Sequence, residues 1–416
     1  MEARAEEGAR HPTPRQNPSK NPQRNPHLAP GSFSARIRQT VKARGFFSQV
    51  IFIVIVAALA VVVWQTASDN LSRLAVKSGY SFLLDAAPFE LGDTIIPYRA
   101  GDSYLRAFAV GIANTVKVAV LGIVLSTVLG LFIALGQLSS SPALSRLCRG
   151  YVEIVRNVPL LLQLIFWHTF LTKSLPSVRQ AFSPIDGIFL TNRGLYLPFP
   201  EPDPSHQWIG LAALLGIALA VAVVKLDRRA LLREGRTRPT FRRAAAVLVA
   251  PPILVFLAFG APMAWDVPAL KGFNFRGGMD ISPEFAAMLL GLTIYTAAFN
   301  AEIFRAGIQS VPKGQSEAGL ALGLSKGQVM RMIVLPLALR IIIPPMANSY
   351  LNLTKESSLA VAIGYPEVVR VANITLAETS QAIECITIIM GIYLTLSLLT
   401  AAFLNWVNAR AALVER

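Results

Sequence analysis

The feature that most constrains this chain is its long apolar runs. Phe52 to Trp64 contains no polar residue, and comparable blocks recur to the end of the 416-residue sequence. About 20 mostly apolar residues in a helix match the hydrocarbon thickness of a bilayer. Charged residues make up 15% of the chain and hydrophobic ones 53%, where soluble domains carry roughly a quarter charged residues. This excludes a single water-soluble enzyme domain. The expected fold is an all-α, polytopic membrane helix bundle.

Eight spans are expected, at about 46–65, 107–136, 152–172, 208–225, 244–264, 284–304, 331–353 and 383–407. Several hold Pro or Gly, which neighbouring helices tolerate inside a bundle. The first is too long for a secretory apolar region, about 45 residues precede it, and no small-residue cleavage site follows Trp64, so it reads as a retained helix.

Orientation follows from where Lys and Arg fall. With the N-terminus inside, segments 1–45, 137–151, 225–243, 305–331 and 408–416 hold 25 basic and 7 acidic residues, against 11 basic residues outside. Both termini are then cytoplasmic. The net charge of +15 is a topology signal, and the case for nucleic acid as a partner falls away. Residues 1–45 read as a disordered basic cytoplasmic tail beside anionic lipid, and 409–416 as a short cytoplasmic end. Segment 66–106 is expected outside, with the stretch SFLLDAAPFELGDTIIPY along the membrane surface. Cys148 and Cys385 give no disulfide framework, and His11, His27, His168 and His206 are too scattered for a metal site.

No GxxxxGK[ST] phosphate loop, GxSxG elbow, HExxH or dinucleotide fingerprint occurs. Catalysis in this chain is not expected. The informative stretch is VPKGQSEAGLALGLSKGQVMRMIVLPLALR, from Val311 to Arg340. Helical patterns over Gln315–Leu322 and Lys326–Ile333 flank Gly323, whose freedom to take positive φ permits a sharp reversal between them. Glu317 can face a basic partner, and Ala318, Gly319 and Ala321 are small enough for another surface to approach closely.

That spacing matches EAA-x3-G-x9-I-x-LP through Glu317, Ala318, Gly319, Gly323, Ile333, Leu335 and Pro336, with Gly319 in place of the third Ala. It resembles the cytoplasmic signature of bacterial ABC importer permeases. Asn114–Thr115, YVEIVRNVPLLLQ at 151–163, TAAFNAEIFRAGI at 296–308 and NLTKESSLAVAIGYPEV at 352–368 resemble further segments of polar-amino-acid permeases. Asn157, Val158 and Leu337 depart from the common forms. The resemblance implies a type I importer core of five helices within about 107–408, with an extra N-terminal helix, an insertion at about 173–282 carrying two more spans, and a coupling loop at about 305–331. The insertion, IPYRAGDSY at 96–104, YPEVVRV and the closing NWVNARAALVER are similar to the larger permease subunit of general L-amino-acid transporters of proteobacteria.

Ionisable and polar groups at membrane depth mark either a pathway or a structural network. The candidates are Asn114, Thr115, Glu153, Arg156, Gln163, Glu302, Arg305, Asn348, Asn352, Lys355, Ser357 and Ser358. Glu153 and Arg156, three apart, can meet on one helical face. Glu302, Arg305 and Gln309 share a face running into the loop and read as its brace. Lys117 can snorkel or pair, His168 reads as an interior histidine, and Glu384 as a water-exposed group at a helix end. Pro159 would loosen its helix and free a carbonyl.

The resemblance implies ATPase subunits docked at Glu317–Gly323, a second and related permease chain, and a periplasmic amino-acid-binding protein. ATP and Mg would be used by the ATPase, with no cofactor in this chain. The alternative is an ion-gradient-driven secondary carrier using Glu302 or Glu384 as ion sites, which needs no docking loop.

Overall fold

In the computed structural model the described residues are 49–63, 65–66, 69, 79–201, 203–234, 239–261 and 264–411. The expected tail, the last five residues and most of 64–78 lie outside them. The chain divides at Lys77 into two units. Within the first, the apolar run forms helix α1, Gln49–Val63. The rest of this section concerns the second.

Among its described residues six helices are long and apolar enough to cross a bilayer, and a bent pair makes a seventh. They are α2 (Tyr104–Gln137), the pair α3 (Pro142–Asn157) and α4 (Leu160–Lys173), α5 (Ser205–Glu234), α6 (Thr240–Ala258), α7 (Pro283–Gln309), α10 (Leu335–Glu356) and α12 (Ala382–Ala411). The short helices α8 (Lys313–Ala321) and α9 (Lys326–Val329) lie between α7 and α10, and α11 (Val368–Thr379) precedes α12. Starts are set locally. Ser103 and Ser282 cap α2 and α7, accepting from the amides of Arg106 and Phe285, and Pro283 occupies the first turn of α7, where its missing N–H costs nothing.

The expected span at 152–172 is broken: α3 and α4 meet at 102°. The cause is Pro159, which has no N–H to offer the carbonyl one turn back. Gln163 repairs the break, its Nε2 donating to the carbonyls of Val155 and Val158 at 3.0 Å each. A second irregularity has the same origin. Pro336 follows a π turn over Met330–Val334, in which the Leu335 amide donates to the Met330 carbonyl.

The core runs the length of the bundle in three clusters. At the loop end Ile133, Val152, Phe304, Val329 and Ile342 pack together. Leu164, Met288, Leu292, Leu353 and Tyr365 fill the middle. Phe82, Phe108, Val371 and Cys385 close the far end. The α2–α7 seam is close: a Cβ on Gly130 would lie 2.8 Å from the Asn300 Cβ and 3.0 Å from the Ala297 carbonyl. Fully buried Asn300 donates to Ser126 Oγ at 3.3 Å and accepts from Ser349 Oγ at 2.6 Å, joining α2, α7 and α10.

The insertion is not purely helical, and its strands are an addition to the expected all-α fold. An antiparallel sheet of order β1-β2-β3-β8 is built from Phe182–Ile185, Ile188–Thr191, Gly194–Leu197 and Met279–Ile281. Strands β4 (Phe199–Pro200) and β5 (Trp265–Asp266) pair at the base of the α5–α6 hairpin, and β6 (Ala269–Lys271) pairs with β7 (Asn274–Arg276). These runs are too short to show a period in the sequence, and pairing across the hairpin defines them.

Stretch 79–103 folds onto the ends of α2, α11 and α12. Phe82 and Ala87 are buried beside Tyr104 and Val371, and the Ala87 amide donates to the Asp102 carbonyl at 2.7 Å.

Gly130→Leu should break the α2–α7 seam. Overpacking of this kind costs about 1–3 kcal/mol, so the purified variant is expected to unfold at lower temperature and to be recovered in lower yield.

Candidate functional site: a helical coupling loop and two clefts

The expected helix–turn–helix is present. Helix α8 ends in a Schellman motif, with Gly323 N–H donating to Leu320 O at 3.0 Å and Leu324 N–H to Gly319 O at 3.2 Å. This places Gly323 at φ 82°, where side-chain-bearing residues are strained. Ser325 and Gln328 then form a capping box that starts α9. Glu317, Ala318 and Ala321 are exposed, and Leu322 is 82% exposed, a leucine presented to a surface outside this chain. Gly319 departs from the expectation for it. It is buried and faces inward, where a Cβ would meet Ile333 Cδ1 at 2.6 Å and Val329 Cγ2 at 3.0 Å. Its small size lets α8 sit on the following turn of this same chain.

Two clefts lie along α7. The first, about 600 Å³, is lined by Gln137, Arg149, Val152, Glu153, Arg156, Asn157, Phe299, Glu302 and Arg305. Glu302 and Arg305 are joined by two hydrogen bonds, one from Arg305 Nε to Glu302 Oε2 at 3.1 Å, and Arg305 Nη1 donates to Gln309 Oε1 at 2.6 Å. The three residues form the expected polar network, which stays within α7. Glu153 and Arg156 do not pair; the Arg156 guanidinium lies 5.0 Å from the centre of the Phe299 ring instead.

The second cleft, about 320 Å³, is lined by Tyr295, Thr296, Phe299, Ile303, Pro345, Asn348, Ser349, Asn352 and Glu356. Asn348 and Asn352 thus share a wall with a carboxylate. Thr296 is 4% exposed and its hydroxyl has no hydrogen-bond partner, so a polar acceptor or donor is wanted there. Sequence reasoning left Thr296, Phe299 and Ser349 out. The spacing of Thr296, Phe299 and Glu302 along one face of α7 is the signal that could have found the first two.

The remaining candidates are used structurally. Asn114 is fully buried and donates to the carbonyls of Asp93 at 2.7 Å and Pro366 at 2.9 Å. Thr115 Oγ1 donates to Gly111 O at 2.9 Å and accepts from the Val368 amide at 3.4 Å. Ser357 and Ser358 donate to the carbonyls of Thr354 and Lys355, and Lys355 is exposed away from both clefts. Lys117 pairs with Asp93 at 3.3 Å and sits 3.9 Å over the Phe285 ring. His168 faces Glu284 at 3.6 Å. Glu384 corrects an expectation: it is 7% exposed, and its Oε1 accepts from the Gly79 amide at 2.8 Å. The returning 79–103 segment buries it.

Glu367, in the connection between the last two spans, caps α11. Its carboxylate accepts from the amides of Val369 and Arg370 and from Tyr393 Oη. Burial pushes its pKa up to about 7, the three hydrogen bonds opposing but not cancelling that effect. Since the folded value lies above the ordinary one, the protonated form is favoured by folding, and that contribution is lost as pH rises from about 4.5 through about 7. The thermal midpoint of the purified protein should fall over that window, and Glu367→Gln should flatten the dependence.

Among the described residues, six apolar helices of spanning length, one bent pair and an exposed helical loop define a multi-pass membrane component. The family of binding-protein-dependent transport system inner membrane components is matched over residues 212–413. The chain is 44% identical over 374 residues to YhdX of Escherichia coli (strain K12), named for amino-acid ABC transport, covering 90% of this chain and 95% of that one. It is 42% identical over 375 residues to the general L-amino acid transport system permease protein AapQ of Rhizobium johnstonii, covering 90% and 94%. A glutamate/glutamine/aspartate/asparagine transport system permease protein of Rhodobacter capsulatus is 36% identical over 397 residues, covering 88% and 93%. The chain belongs to this family of inner-membrane ABC transporter permeases. It is a multi-pass component, and the family works with ATPase and substrate-binding partners and generally a second permease. This membership replaces the ion-gradient carrier, for which Glu302 and Glu384 were the candidate ion sites.

Proposed function

We propose that the chain is a permease subunit of an ATP-driven, binding-protein-dependent importer of L-amino acids. The observation that carries the reading is the exposed α8–Gly323–α9 loop, rigidified by its own caps and seated on the α7 and α10 ends. The exposed Glu317, Ala318 and Leu322 suit an ATPase surface. Two ATPase subunits would hydrolyse ATP with Mg outside this chain, in which no cofactor is expected. The second permease is a related but different chain, and a periplasmic amino-acid-binding protein delivers substrate to the outer end. With the positive-inside pattern, both termini and the coupling loop are cytoplasmic. Lipid is the remaining partner, and nucleic acid is not one.

Closure of the ATPases pushes α8. Because Val311, Val329 and Val334 pack beneath it with Phe304 and Ile342, a push on the loop moves α7 and α10 together. Helix α7 lines both clefts, and α10 lines the second. An amino acid presents an ammonium and a carboxylate, and the second cleft offers Glu356 for the first and the amides of Asn348 and Asn352 with the Thr296 hydroxyl for the second. Glu153, Arg156, Glu302 and Arg305 would line the way onward.

Glu317→Arg and Gly323→Pro test the loop. Proline holds φ near −65° against the 82° observed. Both variants are expected to reach the membrane, lose ATPase co-purification and reduce ATP-dependent uptake in proteoliposomes at least tenfold. Uptake that persists in both and follows an ion gradient without ATP would end the proposal.

The cleft is tested by Glu356→Gln and Thr296→Val. Each should raise the amino-acid concentration needed for half-maximal transport-stimulated ATP hydrolysis, about tenfold for a lost charge-assisted hydrogen bond, with assembly intact. Unchanged concentration dependence in both would remove these residues from the path.

A further inference from the structure

Phe299 is the one residue that lines both clefts. Its half-buried ring stands between the wall bearing Asn348 and Glu356 and the wall bearing Glu153 and Glu302. The ring is held from two sides. Tyr295, one turn earlier on α7, packs against it with centroids 5.0 Å apart. Arg156, from the last turn of α3, places its guanidinium 5.0 Å from the ring centre. Such a cation–π contact is weak at an exposed site and stronger when dry, a strength suited to a contact that is made and released. The ring's neighbours on α7 do not share its freedom: Ala298 and Asn300 are fully buried against other helices.

The Arg156 end of the contact lies on a separate helix. Helix α3 stops at the Pro159 break, where it meets α4 at 102°. A tilt of the last turn of α3, beyond the hydrogen bond from Tyr151 Oη to Ile294 O that ties α3 to α7 at 2.7 Å, would draw Arg156 off the ring and leave the Asn300 ties between α2, α7 and α10 in place.

We propose that the Phe299 side chain is the barrier between the two clefts, and that Arg156 is a positioning residue that holds it shut. The inference rests on the transport reading above. With Arg156 over its face, the ring separates an amino acid in the Asn348–Glu356 cleft from the charged cleft below. When α3 moves, the ring turns and the two clefts become one passage. The barrier is apolar and aromatic, so it blocks a zwitterion by offering it no hydrogen-bond partner.

The test uses the complete assembly, with its ATPases and partner permease, in proteoliposomes loaded with radiolabelled amino acid. Two quantities are read, ATP-dependent uptake and efflux without ATP. Phe299→Ala should raise ATP-independent efflux about tenfold, while Phe299→Trp stays tight. Arg156→Gln should leak and Arg156→Lys, which retains a cation for the ring, should not; a merely structural role for Arg156 would not sort the variants by charge. A second readout covers poor assembly of the alanine variant. With Cys148 and Cys385 replaced by alanine, Asn348→Cys is exposed to a membrane-impermeant thiol reagent on the coupling-loop side. Labelling is expected to be slow with Phe299 present and at least tenfold faster with Phe299→Leu, which keeps bulk but loses the π face that Arg156 grips. If wild type shows ATP-dependent uptake but Phe299→Ala stays tight and Asn348→Cys labels equally fast in both backgrounds, the barrier is overturned and the transport reading stands. If wild type itself shows no ATP-dependent uptake, the transport reading falls.

Discussion

The close contact of α2 with α7 at Gly130 is the constraint on which the rest of this permease depends. Helices in lipid gain little from burying apolar surface against one another, so association rests on close packing and on interhelical hydrogen bonds. The absence of a side chain at Gly130 brings the Asn300 Cβ to the α2 backbone, and that approach lets Asn300 reach both Ser126 and Ser349. Once α7 is pinned by this face, Phe299 and Glu302 on its other side are left to line the clefts.

A second constraint shapes the same region. The bilayer supplies no hydrogen bonds to backbone groups, so a proline inside a span needs a substitute donor nearby. Gln163 provides it at Pro159, which converts a potential defect into a defined elbow between α3 and α4. The elbow sets the direction of α3, and with it the placement of Arg149, Glu153 and Arg156 around the first cleft.

Much of this was legible in the sequence, because the strongest signals are local. Apolar runs of bilayer length marked six of the eight expected spans, with ends off by up to nine residues, while 152–172 is a bent pair and the first run gives only the short helix Gln49–Val63; the spacing around Gly323 marked the helix–turn–helix. Pro159 announced a loosened helix, though the size of the bend depends on Gln163 four residues on. Polar residues were a weaker guide. Asn114 and Glu384 look alike in sequence to path-lining groups, yet they are consumed by partners 21 to 305 residues away. Long-range pairing of that kind leaves no local pattern. Gly319 was misjudged for a related reason: the face of α8 it occupies is decided by Ile333 and Val329 across the turn. The strands escaped notice because each of the eight is only two to four residues long.

The pairing of β4 with β5 has a topological consequence. It brings Pro200 opposite Trp265, so the α5–α6 hairpin leaves and returns at a single point. A hairpin contributes an even number of crossings, and α7 therefore begins on the side where α4 ended. Insertion of one spanning helix at this place would have inverted every later segment and carried the coupling loop to the wrong face of the bilayer. Parity, enforced by two short strands, is what makes an insertion of this size compatible with transport.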